Sequence, residues 1–89
     1  VDNEVIFMDD ETLKAYGYVI SSSYREKSVK SLSDGKKIPT DLAEDIGIRT
    51  NHVSKVLREL KECGVVVCEN EEKRKNREYK LTPIAKLVD

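Results

Sequence analysis

Apolar residues recur along this chain with two different periods. From about residue 10 to residue 62 they fall three or four positions apart, and beyond Gly64 they cluster or alternate. The first helical block holds Leu13, Tyr16, Val19 and Ile20, behind Asp9-Asp10-Glu11. Acids there suit a helix N-terminus, where they meet the positive end of the dipole. Gly17 weakens this helix, Ser21-Ser22-Ser23 breaks it, and Ser23 is placed to cap the next one. The second helix is predicted over Tyr24 to Leu32, with Tyr24, Ser28, Val29 and Leu32 on one face. Asp34-Gly35 ends it. Lys36-Lys37-Ile38 then reads as a short extended piece before Pro39. Residues 1–8 read either as a short edge strand through Val5-Ile6-Phe7 or as a docking tail.

Pro39 suits the first position of a helix whose apolar stripe is Leu42, Ala43 and Ile46, and Gly47 stops it. Ile48 turns back toward the core. Thr50 to Glu62 carries Val53, Val56, Leu57 and Leu60 at i, i+3, i+4 and i+7, a complete amphipathic signature. Val65 to Glu69 is β-branched, Asn70 to Asn76 is a polar loop, and Arg77 to Leu81 alternates with Tyr79 and Leu81 on one face. These segments predict an antiparallel hairpin with a basic tip. Thr82-Pro83 starts a last short helix through Ile84, Leu87 and Val88. The order α, α, short β, α, α, β, β, α is an α+β, mainly α, winged helix-turn-helix. It has a three-helix core, a β-hairpin wing, an extra N-terminal helix and a short C-terminal helix. Residues 1–20 are expected to form an acidic N-terminal extension with a helix, and residues 21–89 the winged-helix domain.

In a helix-turn-helix the second helix commonly lies in the major groove of DNA. The stripe opposite the apolar face of Thr50–Glu62 holds Asn51, Lys55 and Arg58, with Ser54 on the flank. Asn pairs bidentately with adenine, Arg with guanine, and Lys with guanine or phosphate. Thr50 and His52 lie at the N-terminal end, which reaches bases or phosphates. His52 has no partner constellation for catalysis. The wing carries Lys73, Arg74, Lys75 and Arg77, placed to follow the phosphate backbone or enter the minor groove.

Charge at first argues the other way, because the whole chain has a net charge of −1. The balance is divided, however. Residues 1–20 carry five acids (Asp2, Glu4, Asp9, Asp10, Glu11) against Lys14, and residues 21–89 carry fifteen Lys and Arg against twelve Asp and Glu. A local patch outweighs a total in binding a polyanion. With 89 residues, one domain is expected, with no separate effector domain and little room for a catalytic pocket. There is no nucleophile–base pair, glycine-rich phosphate loop or metal cluster, so neither an enzyme nor a cofactor is expected. Cys63 and Cys68 are too few for a disulfide framework or a zinc site. One buried and one half-exposed thiol are expected; the sharper alternative is a thiol or metal sensor using Cys63 and Cys68, with Cys63 the thiol within reach of oxidants. No apolar run approaches the roughly 20 residues of a membrane span, and no signal-peptide pattern opens the chain. The expected compartment is the cytoplasm.

Four segments together resemble the small archaeal winged-helix transcriptional regulators, in the broad neighbourhood of the MarR and ArsR superfamilies. They are Ser23-Tyr24-Arg25, Thr40 to Leu60, the junction Leu60-Lys61-Glu62-Cys63-Gly64-Val65-Val66, and the wing Cys68 to Thr82. The resemblance implies binding of double-stranded DNA through the third helix and wing, usually as a homodimer. Leu13, Tyr16, Ile20, Ile84, Leu87 and Val88 are the candidate dimer residues. ArsR-type metal sensors place a Cys-x-Cys pair in a DNA-binding helix, and this chain has none there. Other departures are Ser28 and Ser31, which predict looser helix packing, and Asn76 where a wing glycine is common. Arg49 or Thr50 also stands where a serine cap is frequent. The acidic first twenty residues lie outside the family pattern and point to the alternative, a winged-helix module that holds a protein partner.

Overall fold

In the computed structural model, which describes residues 10–83, the helical period gives way to strand pairing after Gly64. Four helices come first: α1 (Asp10–Ile20), α2 (Ser23–Leu32), α3 (Pro39–Ile46) and α4 (Thr50–Glu62). The strands β1 (Val66–Cys68) and β2 (Tyr79–Leu81) follow. They pair antiparallel with Val66 opposite Leu81, Val67 opposite Lys80 and Cys68 opposite Tyr79. This is the expected winged helix-turn-helix, with α2, α3 and α4 as the core and the hairpin as the wing. The expectations for residues 1–8 and for Ile84, Leu87 and Val88 lie outside the described residues.

Local chemistry explains where the helices start and stop. Ser22, not Ser23, caps α2: its backbone is extended and its Oγ accepts the Arg25 N–H at 3.4 Å. Pro39 opens α3, where its missing N–H has no intrahelical acceptor to lose. Gly47 closes it at φ 75°, with its N–H donated to the Ala43 carbonyl at 2.9 Å. A side chain in that left-handed region costs roughly 1–2 kcal/mol, which is why glycine stands there. Ile48 donates to the same carbonyl at 3.1 Å, so the turn into α4 is tight. Lys37 and Tyr79 exchange backbone bonds of 3.0 and 2.9 Å. That bridge adds the short extended piece to the edge of β2 and fastens the wing to the helices.

The core lies where the apolar stripes meet. Leu42 of α3, Val53, Leu57 and Leu60 of α4, and Val65 before β1 are all fully buried. Val19 of α1 and Val29 and Leu32 of α2 close it from the other side. Each such side chain contributes roughly 1.5–3 kcal/mol by leaving water.

Leu13, Tyr16 and Ile20, the candidate dimer residues of α1, are 41%, 40% and 48% exposed, while Thr12, Ala15 and Val19 form the buried face of the helix. The smaller side chains allow close approach to the core, and the larger ones fall on the helix flank. Tyr24 is also exposed, because it sits on the first turn of α2, at the edge of the packed layer. Ser28 and Ser31 do not loosen the packing, since both are buried with satisfied hydroxyls. Ser28 Oγ donates to the Tyr24 carbonyl at 2.8 Å, and Ser31 Oγ donates to the Asp45 carboxylate on α3. No described helix is long and apolar enough to cross a membrane.

Candidate nucleic-acid interface

The amphipathic period of α4 decides what its outer face presents. With Val53, Val56, Leu57 and Leu60 buried, a turn of about 100° per residue puts Asn51, Lys55 and Arg58 directly opposite. All three are exposed, as are Thr50, His52 and Ser54. The first turn of α4 contains no acid. Its N-cap, Arg49, gives no side-chain cap, so the amides of Thr50 and Asn51 point outward without an intrahelical acceptor.

The two flanks of α4 face different neighbours. On one, the His52 ring lies 6.3 Å from the Tyr24 ring at 51°, and Glu59 pairs with Arg25 at 3.3 Å. On the other, Ser54 joins Pro39 and Thr40 along one side of a cleft of about 400 Å³, which Arg74, Lys75, Asn76 and Arg77 also line. The fold therefore brings Ser54 and the wing cations together, while the stripe Asn51, Lys55 and Arg58 lies between the two flanks. Ser54 Oγ donates to the Thr50 carbonyl at 3.2 Å, which leaves its lone pairs open.

The wing is built by a residue that looked like ordinary loop. Asn70 is buried, and its Oδ1 accepts the Glu78 N–H at 2.7 Å and the Cys68 thiol at 3.6 Å. Its Nδ2 donates to the Asn76 carbonyl at 3.4 Å. Asn76 takes φ 57°, the left-handed geometry that a glycine would provide at that point. Arg77 is half-buried and donates Nε to the Lys73 carbonyl at 2.5 Å and Nη2 to the Glu71 carbonyl at 2.9 Å. Two of its five donors thus hold the loop closed.

Ion pairing sorts the remaining charges. Glu69 pairs with Lys80 at 2.7 Å and Lys36 at 3.2 Å, and Lys36 also reaches Glu78 at 3.6 Å. The hydrogen bonds from Lys80 and then Lys36 hold the Glu69 carboxyl below the ordinary glutamate range. Glu69 in turn raises the Lys36 ammonium. Glu71 hydrogen-bonds Lys61 across to α4, which lowers the acid and raises the lysine. In this region Glu59, Glu69, Glu71 and Glu78 are all neutralised locally. Lys55, Arg58, Lys73, Arg74 and Lys75 have no ion-pair partner among the described residues, and neither does Arg49. Arg49 is exposed just before the first turn of α4. Its place at the mouth of the helix was the one signal for it.

The thiols are separate from this surface. Cys68 is buried and Cys63 half-buried, and both are free. Burial pushes the Cys63 thiol above its ordinary value, and its Sγ donates to the Leu60 carbonyl at 3.3 Å. No group of three or more His, Cys, Asp or Glu able to hold a metal occurs among the described residues.

No protein-family model matches the chain, and no curated protein matches it in sequence. Solved structures do. The transcriptional repressor BigR from Xylella fastidiosa superposes with a TM-score of 0.73 at 28% identity, covering 85% of this chain and 78% of that one. The homodimeric winged helix-turn-helix DNA-binding domain of Mb0332 from Mycobacterium bovis, a possible ArsR-family transcriptional regulator, does so with a TM-score of 0.73 at 18% identity. That match covers 92% of this chain and 82% of the domain. The fold of this chain is therefore the winged helix-turn-helix of these regulators.

Proposed function

We propose that this protein is a double-stranded DNA-binding transcriptional regulator that acts as a homodimer and carries out no catalysis. One observation carries the reading. The cations of α4 and of the wing tip are exposed and unpaired among the described residues, while four nearby acids, Glu59, Glu69, Glu71 and Glu78, are neutralised by ion pairs and only Glu62 and Glu72 are left to dilute the patch. A solvated surface with no polyanion to meet has no need of that sorting. The likeness to BigR, a transcriptional repressor, supports the same reading.

In this reading α4 enters the major groove. Asn51, Lys55 and Arg58 read base edges, and Thr50, His52 and Ser54 frame them. Arg49 and the free amides of the first turn of α4 meet phosphate. Lys73, Arg74 and Lys75 follow the backbone or enter the minor groove, and Arg77 keeps the wing loop closed behind them. The affinity to archaeal regulators rests on the sequence motifs alone. The homodimer is drawn from the exposed flank of α1, Leu13, Tyr16 and Ile20, and from the homodimeric Mb0332 domain. A protein-binding module would leave the unpaired cations without a role.

The test is an amide-shift titration with random duplex DNA at two salt concentrations. Residues 49–58 and 73–77 should move, less at high salt. Lys55→Glu and Arg58→Glu should abolish the response in a folded chain. Shifts that avoid these residues, or that ignore salt, would sink the reading.

A further inference from the structure

Arg25 stands on the first turn of α2, yet only 14% of its side chain is exposed. Its donors run in two directions. Toward α1, Nε donates to the Tyr18 carbonyl at 2.8 Å and Nη2 to Ser21 Oγ at 2.9 Å. Ser21 Oγ donates to that same carbonyl at 2.8 Å, and the guanidinium lies 3.8 Å from the centre of the Tyr18 ring. Toward α4, Nη1 donates to Glu59 Oε1 at 3.3 Å. Glu59 adjoins Arg58 of the outward stripe. Beside this clamp the seam is open. A cleft of about 390 Å³ is lined by Glu11, Lys14 and Tyr18 of α1 and by Glu62 and Cys63 at the end of α4. Apolar packing leaves that gap unfilled, and a planar guanidinium with fixed donors is a stiff connector beside it.

We propose that Arg25 is a positioning residue for DNA reading: it seats α4 against α1, so that the pose of Asn51, Lys55 and Arg58 depends on the end of α1. This rests on the DNA-binding reading above and adds α1 to the parts that set it. Arg25 acts through Glu59 and touches no DNA.

Electrostatics and positioning predict opposite signs at Glu59. Deleting an acid beside a DNA-binding stripe should tighten binding if charge alone matters. If Glu59 is half of a clamp, deleting it should weaken binding. The experiment measures affinity for random duplex DNA by fluorescence anisotropy over a salt series. The proteins are the full chain and its Glu59→Ala, Arg25→Met and Lys55→Glu variants, with amide spectra recording that each is folded. Glu59→Ala and Arg25→Met should each lose roughly three- to tenfold in affinity, the scale of such coupling. The slope of log K against log salt should match the parent's, whereas a lost phosphate contact would reduce it by about one. A variant combining Arg25→Met with Glu59→Ala, measured alongside, should bind no worse than Arg25→Met alone. Parental or tighter binding by Glu59→Ala, or a flattened slope for Arg25→Met, overturns the inference. Should Arg25→Met fail to fold, the sign at Glu59 still decides. If Lys55→Glu also binds like the parent, the DNA reading has failed and this inference falls with it. If Lys55→Glu weakens binding while Glu59→Ala does not, only the inference falls.

Discussion

Asn70 organises the wing with one side chain that neither apolar periodicity nor charge would single out. It satisfies the Glu78 N–H and the Asn76 carbonyl across a loop that has no strand pairing of its own. Asn70→Ala removes the hydrogen bonds to both groups, and two such bonds at roughly 0.5–1.5 kcal/mol each come to about 1–3 kcal/mol. Urea unfolding should show a loss of that size, and amide shifts should change from residue 69 to residue 78. A loss below about 0.5 kcal/mol would place the wing's order elsewhere. Cys63 poses a different residue-scale question. Its thiol is raised by burial, then lowered by backbone hydrogen bonds and, last, by the Arg25 charge. The sign follows from the raised value. Folding favours the protonated thiol, so its contribution to stability is full below the ordinary thiol range and falls away as the pH climbs through the raised one. A sensing cysteine needs the reverse, a thiolate near neutral pH. Alkylation of Cys63 by iodoacetamide, followed by peptide mass against pH, should turn on at higher pH in the folded chain than in urea. A lower midpoint in the folded chain would revive redox sensing.

At the scale of elements, α4 was fully legible in the sequence because its chemistry is local. Four apolar residues at helical spacing define the buried side, and the opposite face follows by rotation. The identity of that face is legible for the same reason, while its contact with DNA is a proposal. The wing was legible only as a hairpin. Its charges looked uniformly basic with some dilution, but long-range pairing sorts them: Lys36 meets Glu69 and Arg25 meets Glu59 across gaps of 33 and 34 residues. No spacing rule reaches that far. The buried face of α1 is less legible, because it is made by the small residues Thr12 and Ala15 with Val19 and not by the helix's largest apolar residues. The sorting predicts unequal roles within one basic run. Replacing Lys73, Arg74 and Lys75 together by serine should keep the fold and weaken DNA binding. The salt slope should fall by roughly two to three, since each neutralised phosphate contributes about 0.9. Arg77→Ser should change the slope less and the wing's amide protection more, because its guanidinium holds loop carbonyls. Equal slope changes per residue would show that Arg77 is a phosphate contact like the others.

Among the described residues, two surfaces stand out that their own packing does not use. One is the basic face of α4 and wing. The other is the flank of α1, where Leu13, Tyr16 and Ile20 are exposed on successive turns. Gly17 lies between them, and a Cβ built there would meet nothing within 4 Å. Glycine inside a helix costs about 1 kcal/mol relative to alanine, and nothing among the described residues requires it here. Three large apolar residues around a bare backbone position make a face on which another helix could pack closely. On the DNA-binding reading, a single α4 and wing would supply only a handful of phosphate contacts, each adding modestly to affinity at physiological salt. Two copies joined through α1 would double those contacts and fix the spacing between their recognition helices. The substitutions Leu13→Asp and Ile20→Asp alter exposed positions and should leave the melting temperature within a few degrees of the parent. Sedimentation equilibrium over a concentration series should show dimer for the parent and monomer for the double variant. DNA affinity should fall with it by at least tenfold, through loss of the second set of contacts. A parent that stays monomeric at every concentration would remove the homodimer. A double variant that stays dimeric would move the interface off this flank of α1.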